Sequence, residues 1–509
     1  MKKILSVILT AIMLLSVCTP LALAQDYTRP FYSGAIASDT FRIPALYTLR
    51  DGSVIAIADK RYASGLDSPA NIDIGYAISP DGYTDWEYGT LNCFDDYADG
   101  AVSTKSASFI DSAVVQSADG RLFVISDVFP SGCGSDYAKK GSGFIEIDGV
   151  KRMLLTAGKA KANLRSFEYY IGDFNGTLAD VYSLSTNEKT EYSVDSEYKL
   201  YKNGEPLYMP QKESDNVSIQ QSVYYTDSEL HCYYTSYIWL RYSDDGGKTW
   251  SSPVNLTSFI KSDKEKFLGV CPGRGITTQV DGKERIIFCV YDNYGGKHNV
   301  STIYSDDNGA TWHRGAETKV KARLFKTNES QIVELGDGVL RMFSRNTTNY
   351  IAYADSTDGG VTWSKHRADT DLLAEGTCMC SFINTSRTID GKRVVLGSYP
   401  SDFLGRADGV IRVGLITEEN DIDWISAYNV TDGFYAYSCL TELADGNFAL
   451  LYEDETYGIN YMVLSMDSDG SITEISGNNV QLTDKTVLEK IAAFLNGAIT
   501  RLLVILNMI

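Results

Sequence analysis

The chain has 509 residues, 44% of them hydrophobic and 22% charged, the composition of a globular protein long enough for one large domain with an insertion or for two to three ordinary ones. A formal net charge of −20 works against attraction to nucleic acid, and an anionic ligand needs a site that carries its own cations. There are four histidines and no Cys or His spacing of the zinc type, so neither a metal nor a cofactor is expected.

Residues 1–24 read as a secretory signal. Lys2 and Lys3 precede an apolar run from Ile4 to Val17, and Ala22-Leu23-Ala24 offers a small-x-small cleavage site before Gln25. The run is short for a membrane span, and lipid attachment at Cys18 fits poorly after the bulky Val17. A secreted, extracellular protein is expected. Eight cysteines follow the signal, and their pairing cannot be assigned from spacing; Cys378 and Cys380 are too close for an easy mutual bridge. With 34 Tyr and 43 Gly against 11 Pro, the body of the chain favours many short strands, an all-β fold.

The pattern Ser-x-Asp-x-Gly-x-Thr-Trp occurs intact three times, at Ser243–Trp250, Ser305–Trp312 and Ser356–Trp363, and a degraded copy at Ser79–Trp86 keeps the Ser, the Asp and the Trp. Each reads as a hairpin staple: Asp and Gly make the turn, the Asp carboxylate and Ser hydroxyl bond turn backbone, and the Trp packs beneath. Strand-like runs such as Tyr233–Tyr242 and Val300–Tyr304 precede them. These repeats resemble the Asp boxes of β-propellers of the sialidase kind, where they hold blades together and do no chemistry. The interval between the first and second copies exceeds the others by about a hundred residues. An irregular β insertion over 134–232 accounts for it, leaving 25–133 and 233–478 for a six-bladed propeller. Two runs in the insertion read as hairpins around Gly, FEYYIGDFNGTLADVYSL and YKLYKNGEPLYM. At the C-terminus, residues 479–509 carry Leu488, Ile491, Leu495, Ala498, Leu502 and Leu506 at helical spacing. A helix docked on the protein and one lying weakly at a membrane surface both fit this amphipathic tail.

Phe41-Arg42-Ile43-Pro44 resembles the FRIP motif that opens secreted bacterial sialidases, and it precedes the boxes as it does there. The resemblance runs through most of residues 33–475. It implies a retaining exo-sialidase that takes terminal sialic acids from glycoproteins, glycolipids and oligosaccharides. Three arginines then clamp the substrate carboxylate: Arg42, Arg345 in MFSRN and Arg406 in GRADG. The chemistry agrees, because a planar guanidinium bonds a carboxylate bidentately and each such bond contributes about 1.5–3 kcal/mol. Arg61 and Asp111, the latter in SFIDSAVV, match positions that bind sugar hydroxyls.

The resemblance also assigns the proton transfers. Asp67, in the loop RYASGLDSPANID, is the acid/base, with Asp73 as a competing carboxylate in the same stretch. The nucleophile is a tyrosine, an exception among glycosidases, because a carboxylate approaching a carbon that already bears one would be repelled while a neutral phenol is not. The matching residues are Tyr437 in FYAYSCLTEL and, as its base, Glu329 in TNESQIVEL; Tyr435 is the rival two residues away. Arg274 and Cys271, in GVCPGRGI, are departures read as structural. The same residues suit a trans-sialidase, including an intramolecular one releasing an anhydro sugar. A non-catalytic sialic-acid lectin is the rival of another class, although binding alone needs no proton-transfer pair.

Overall fold

Runs rich in β-branched and apolar residues, such as Val54–Arg61 and Leu122–Phe129, are buried along their whole length and pair with a neighbour on each edge. The computed structural model describes residues 29–477 apart from 63, 159–165, 293–298, 320–325, 375–376, 403 and 457. The signal segment and the helical tail expected over 479–509 lie outside the described residues.

Six antiparallel sheets follow one another along the chain as the blades of a β-propeller. The first blade holds Thr40–Thr48, Val54–Arg61, Ile72–Ser79 and Glu87–Asn92. The second holds Ser108–Gln116, Leu122–Phe129, Tyr237–Ser243 and Val254–Asn255, with the short Gly273–Arg274 added in parallel beside Ser108–Gln116. In the third, the first strand is split into Leu268–Val270 and Ile276–Val280, both paired with Lys283–Asp292, before Asn299–Ser305 and His313–Arg314. The fourth, fifth and sixth blades start at Thr327–Gly336, Ser381–Ile389 and Ser438–Glu442, and each has four strands.

Every Asp box lies between the third and fourth strands of a blade and is built alike. Gly247 N donates to Ser243 Oγ at 2.8 Å while Thr249 N donates to Asp245 Oδ1 at 2.9 Å, and the boxes at Ser305 and Ser356 repeat both bonds. In the degraded copy the turn is tighter: Gly82 N, three residues on, bonds Ser79 Oγ at 2.9 Å, and Tyr83 N, two residues on, bonds Asp81 Oδ1 at 2.8 Å. The Ser and Asp are sufficient to hold the turn without the Thr.

The ring closes where the first and sixth blades meet. Leu46 N donates to Cys439 Sγ at 3.3 Å and Thr48 N to Thr441 Oγ1 at 3.1 Å, over an apolar cluster that joins Phe41, Leu46 and Val54 to Leu443, Leu451 and Tyr461. Arg274 serves this seam, donating to Leu440 O at 3.0 Å and lying over the Tyr47 ring.

Between the second and third strands of the second blade, the chain leaves to form the insertion. Its main sheet runs from Phe144–Ile147 to His231–Cys232. Tyr169–Asn175 and Leu178–Ser183 pair across the turn at Gly176, and Leu200–Lys202 pairs with Glu205–Pro206. Asn203 and Gly204 join the latter pair, with φ of 54° and 82°, the two positive values a type I′ turn demands. The insertion is welded to the blades: Val181, Val194 and Leu200 share one apolar cluster with Phe94, Phe109 and Trp239.

Strand direction alternates within a blade, so the start of the first strand, the end of the second and the loop after it share one end of the propeller. The boxes, which follow the third strands, share the opposite end. Scaffold and chemistry are thereby separated.

Candidate active site

All eight residues singled out in the sequence fall at the end of the propeller opposite the boxes. Arg42, Asp111 and Glu329 are near the starts of first strands, Arg61 and Arg345 near the ends of second strands, and Asp67 and Arg406 in or beside the loops that follow second strands. Tyr437 immediately precedes the sixth blade's first strand.

Three of them stand on β-bulges. Pairing registers shift between Arg42 and Ala45, between Ile110 and Ala113, and between Thr327 and Ser330. Ile43 and Asp111 take φ of 57° and 59°, conformations that L side chains rarely adopt. An extra residue on an inner strand re-aims the side chains beside it, and here it does so in blades one, two and four.

Two hydrogen-bonded groups result. In the first, Tyr437 OH donates to Glu329 Oε1 at 2.6 Å, and Arg345 Nη1 donates to Tyr437 OH at 2.8 Å and to Glu329 Oε2. Glu329 and Tyr437 are only 3% and 6% exposed. Burial, reinforced by the charge of Glu329, pushes the Tyr437 phenol well above its ordinary value, with Arg345 and Arg406 opposing. The phenol is therefore protonated at neutral pH, and its proton points at a carboxylate.

In the second group Arg61 is fully buried, bonded through Nη2 to Asp59 Oδ2 and through Nη1 to Asp67 Oδ1, both at 2.7 Å. Arg42 Nη1 reaches the same Asp67 oxygen at 3.4 Å. Asp67 has its side chain 71% exposed, at the mouth of the site. Burial acts to raise its carboxyl, but Arg61 and Arg42 outweigh that and hold it below the usual range. Burial pushes Asp59 up to about 6 against the pull of Arg61.

Arg42 and Arg406 connect the two groups, their guanidinium carbons 5.8 and 5.4 Å from the Tyr437 ring centroid. With Arg345 beside the phenol, three guanidiniums converge around one tyrosine. Asp111 accepts no role in the ion pairs but donates its backbone N–H to Asp59 Oδ1 at 3.1 Å. Burial and the neighbouring charge of Asp59 push its own carboxyl well above the usual range.

The rivals go elsewhere. Tyr435, two residues from Tyr437 and expected on the same strand face, is instead buried in the core of the fifth and sixth blades, its hydroxyl on Ser398 and its ring stacked on Tyr452 at 4.9 Å. The chain there precedes the strand, so the alternation of a regular strand does not apply. Asp73 accepts from Tyr62 OH at 2.9 Å and from Phe94 N at 3.1 Å in the interior, where burial pushes it up to about 7. Cys271 points its thiol at Asn328 O, 3.8 Å away.

Three participants were not foreseen. Glu453 grips Arg42 with both oxygens, to Nε and Nη2 at 3.2 Å each, and accepts the N–H of the strained Ile43 at 2.8 Å. Asp59 anchors Arg61. Burial, reinforced by the charge of Glu329, pushes the Tyr291 phenol well above its ordinary value. Glu453 ends the second strand of its blade, as Arg61 does and Arg345 nearly does, so position in the repeat was the available signal.

Comparison with known proteins follows the same lines. A model of the BNR repeat-like domain matches residues 207–394. The chain is 35% identical to the anhydrosialidase of Macrobdella decora, over 83% of this chain and 59% of that protein. It is 33% identical to sialidase B of Streptococcus pneumoniae, over 85% of this chain and 64% of that protein, so it spans roughly three fifths of the length of these relatives. The crystal structure of the intramolecular trans-sialidase from Ruminococcus gnavus, in complex with oseltamivir carboxylate, superposes with a TM-score of 0.78 at 34% identity, covering 88% of this chain and 99% of that one. With bladed fold, boxes and the arginine-flanked tyrosine in place, the chain belongs to the sialidase family.

Proposed function

We propose that this protein is a secreted, retaining exo-sialidase that cleaves terminal sialic acids from glycans through a covalent bond to Tyr437. The observation that carries the reading is the contact of a protonated, buried phenol with Glu329 and Arg345, with Arg42 and Arg406 flanking its ring. The three arginines bind the substrate carboxylate and thereby set the anomeric carbon over the phenol oxygen. Tyr437 attacks as Glu329 takes its proton, and Asp67 delivers a proton to the departing glycosidic oxygen. In the second step Asp67 accepts a proton from the acceptor, the Tyr437–carbon bond breaks, and Glu329 returns the proton to the phenolate. Asp111 serves the sugar hydroxyls, while Arg61, with both Nη atoms on protein acceptors, holds Asp67 in place.

The acceptor is the open point, and the similarity to an anhydrosialidase and to an intramolecular trans-sialidase favours a second reading in which a hydroxyl of the same sugar takes the place of water. An NMR time course on sialyl-lactose separates them. Free α-sialic acid appearing first supports hydrolysis, an anhydro sugar supports internal transfer, and the β-anomer appearing first would refute retention.

A further inference from the structure

The loop that carries Asp67 is held from two sides, and only one of them is the pocket. On the pocket side Arg61 Nη1 donates to Gly65 O and to Asp67 Oδ1, both at 2.7 Å. On the other side the loop lies against the first turn of the insertion. A Cβ on Gly134 would stand 2.2 Å from Ser68 O and 2.8 Å from Ser68 C, with Pro69 Cδ at 3.3 Å. Ser68 directly follows Asp67. Side-chain carbons do not approach backbone atoms so closely, so only glycine lets these two segments meet.

Both partners in this contact are tied down. Ser108 Oγ donates to Ser68 Oγ at 2.8 Å and Ser106 N to Pro69 O at 3.1 Å. Gly132 N returns a bond to Ser106 O at 3.0 Å. The buried Asp96 carboxylate accepts from Ser106 Oγ, Ala107 N and Ser131 Oγ at 2.7, 2.9 and 2.6 Å, joining the loop's support to the insertion. Ala70 and Ile72, just beyond the loop, share an apolar cluster with Cys133, Ala138 and Tyr234 of the insertion. A shift at Gly134 therefore has no slack to disappear into, and it passes to the residue next to Ser68.

We propose that Gly134 is a positioning residue, and that the insertion sets the placement of the Asp67 carboxylate through the contact of Gly134 with the Ser68 backbone. The inference rests on Asp67 being the proton donor. Gly134→Ala and Asp67→Asn are each assayed on sialyl-lactose, whose leaving group needs protonation, and on an aryl sialoside, whose leaving group does not, with thermal melts to establish folding. Gly134→Ala should lose about 100-fold in kcat/KM on sialyl-lactose and far less on the aryl substrate, because a misplacement on the scale of 1 Å costs that much. Equal losses on both substrates, or none on either, while Asp67→Asn still discriminates between them, would overturn the role of Gly134. Should Asp67→Asn itself lose equally on both, the proton-donor reading falls and takes this inference with it. Ser108→Ala, which removes one bond to Ser68 without crowding, covers the case in which Gly134→Ala does not fold. It should show the same leaving-group dependence at about fivefold, and an unchanged substrate ratio in that variant would also overturn the proposal.

Discussion

The hydroxyl of Tyr437 donates to Glu329 Oε1 at 2.6 Å while accepting from Arg345 at 2.8 Å, so one oxygen meets both the base that can take its proton and a cation that can bear its charge. The two neighbours act oppositely on the phenol: the charge of Glu329 disfavours ionisation and Arg345 favours it. A tyrosinate formed ahead of time would lie beside an unprotonated carboxylate. One formed during attack transfers its charge into the new bond while Glu329 becomes neutral.

Glu329→Gln keeps the shape and removes the proton acceptor. Its kcat should fall by about 10²- to 10⁴-fold, the usual share of general base catalysis, and the loss of the charge paired with Arg345 should also lower the melting temperature. A 3-fluoro sialosyl fluoride should place its mass on the peptide containing Tyr437 in the wild type and do so more slowly in the variant. Mass on any other residue removes Tyr437 as nucleophile.

Glu453 is predicted to matter almost as much as the arginine it grips. The Arg42 guanidinium is nearly buried, and Glu453 holds its Nε and Nη2 while Nη1 faces Asp67. Glu453→Gln leaves a buried charge with a weaker partner and frees Ile43 N from a carboxylate. Binding of the substrate carboxylate should weaken by about tenfold, the scale of one charged hydrogen bond, seen as a rise in KM larger than the fall in kcat. An unchanged KM would show that Arg42 needs no such anchor.

The boxes should affect stability and leave catalysis alone. Hydrogen bonds from Thr249 and Ser243 hold the exposed Asp245 carboxylate down at about 2. A folded value below the unfolded one of about 3.9 means stability that is complete above the unfolded value and lost as pH falls through the folded one. Asp245→Asn should lower the melting temperature by about 1–2 °C at pH 6, with the difference from wild type vanishing near pH 2 and kcat/KM unaffected. A variant with altered kcat/KM would contradict the separation of the two ends of the propeller.

Much of this architecture was legible because repeats carry it. The Ser, Asp and Trp of each box mark where third strands end. Tyr437 was legible only through the family motif, since nothing in a run of 34 tyrosines distinguishes it, and its choice over Tyr435 depends on which way a non-strand segment turns. The bulges at Arg42, Asp111 and Glu329 were not legible at all. A bulge is a mismatch in pairing between two strands, and Ile43, a β-branched residue, is not one whose chemistry announces a positive φ. Glu453 escaped for a similar reason: its partner Arg42 is 411 residues away, across the closure of the ring.

The last prediction concerns pH. A carboxyl held down by two arginines is a poor proton donor, yet Asp67 is assigned that task. The structure resolves this through Arg42, which sits within 3.4 Å of Asp67 and belongs to the set of guanidiniums that would bind the substrate carboxylate. An incoming anion takes up part of the charge of Arg42 and adds its own near Asp67, while the sugar deepens burial. All three changes raise the Asp67 value in the complex above its value in the free enzyme. Because the protonated form is the active one for the first step, activity falls as pH rises through that value. The profile of kcat/KM reports the free enzyme and that of kcat the complex, so the alkaline limb of kcat should lie at higher pH than that of kcat/KM on sialyl-lactose. In Asp67→Asn both alkaline limbs attributable to this group should disappear. Coincident limbs in the wild type would mean that substrate binding does not retune Asp67, and a limb that survives in Asp67→Asn would assign the donor to another carboxyl, with Asp111, which burial pushes well above the usual range, as the first to examine.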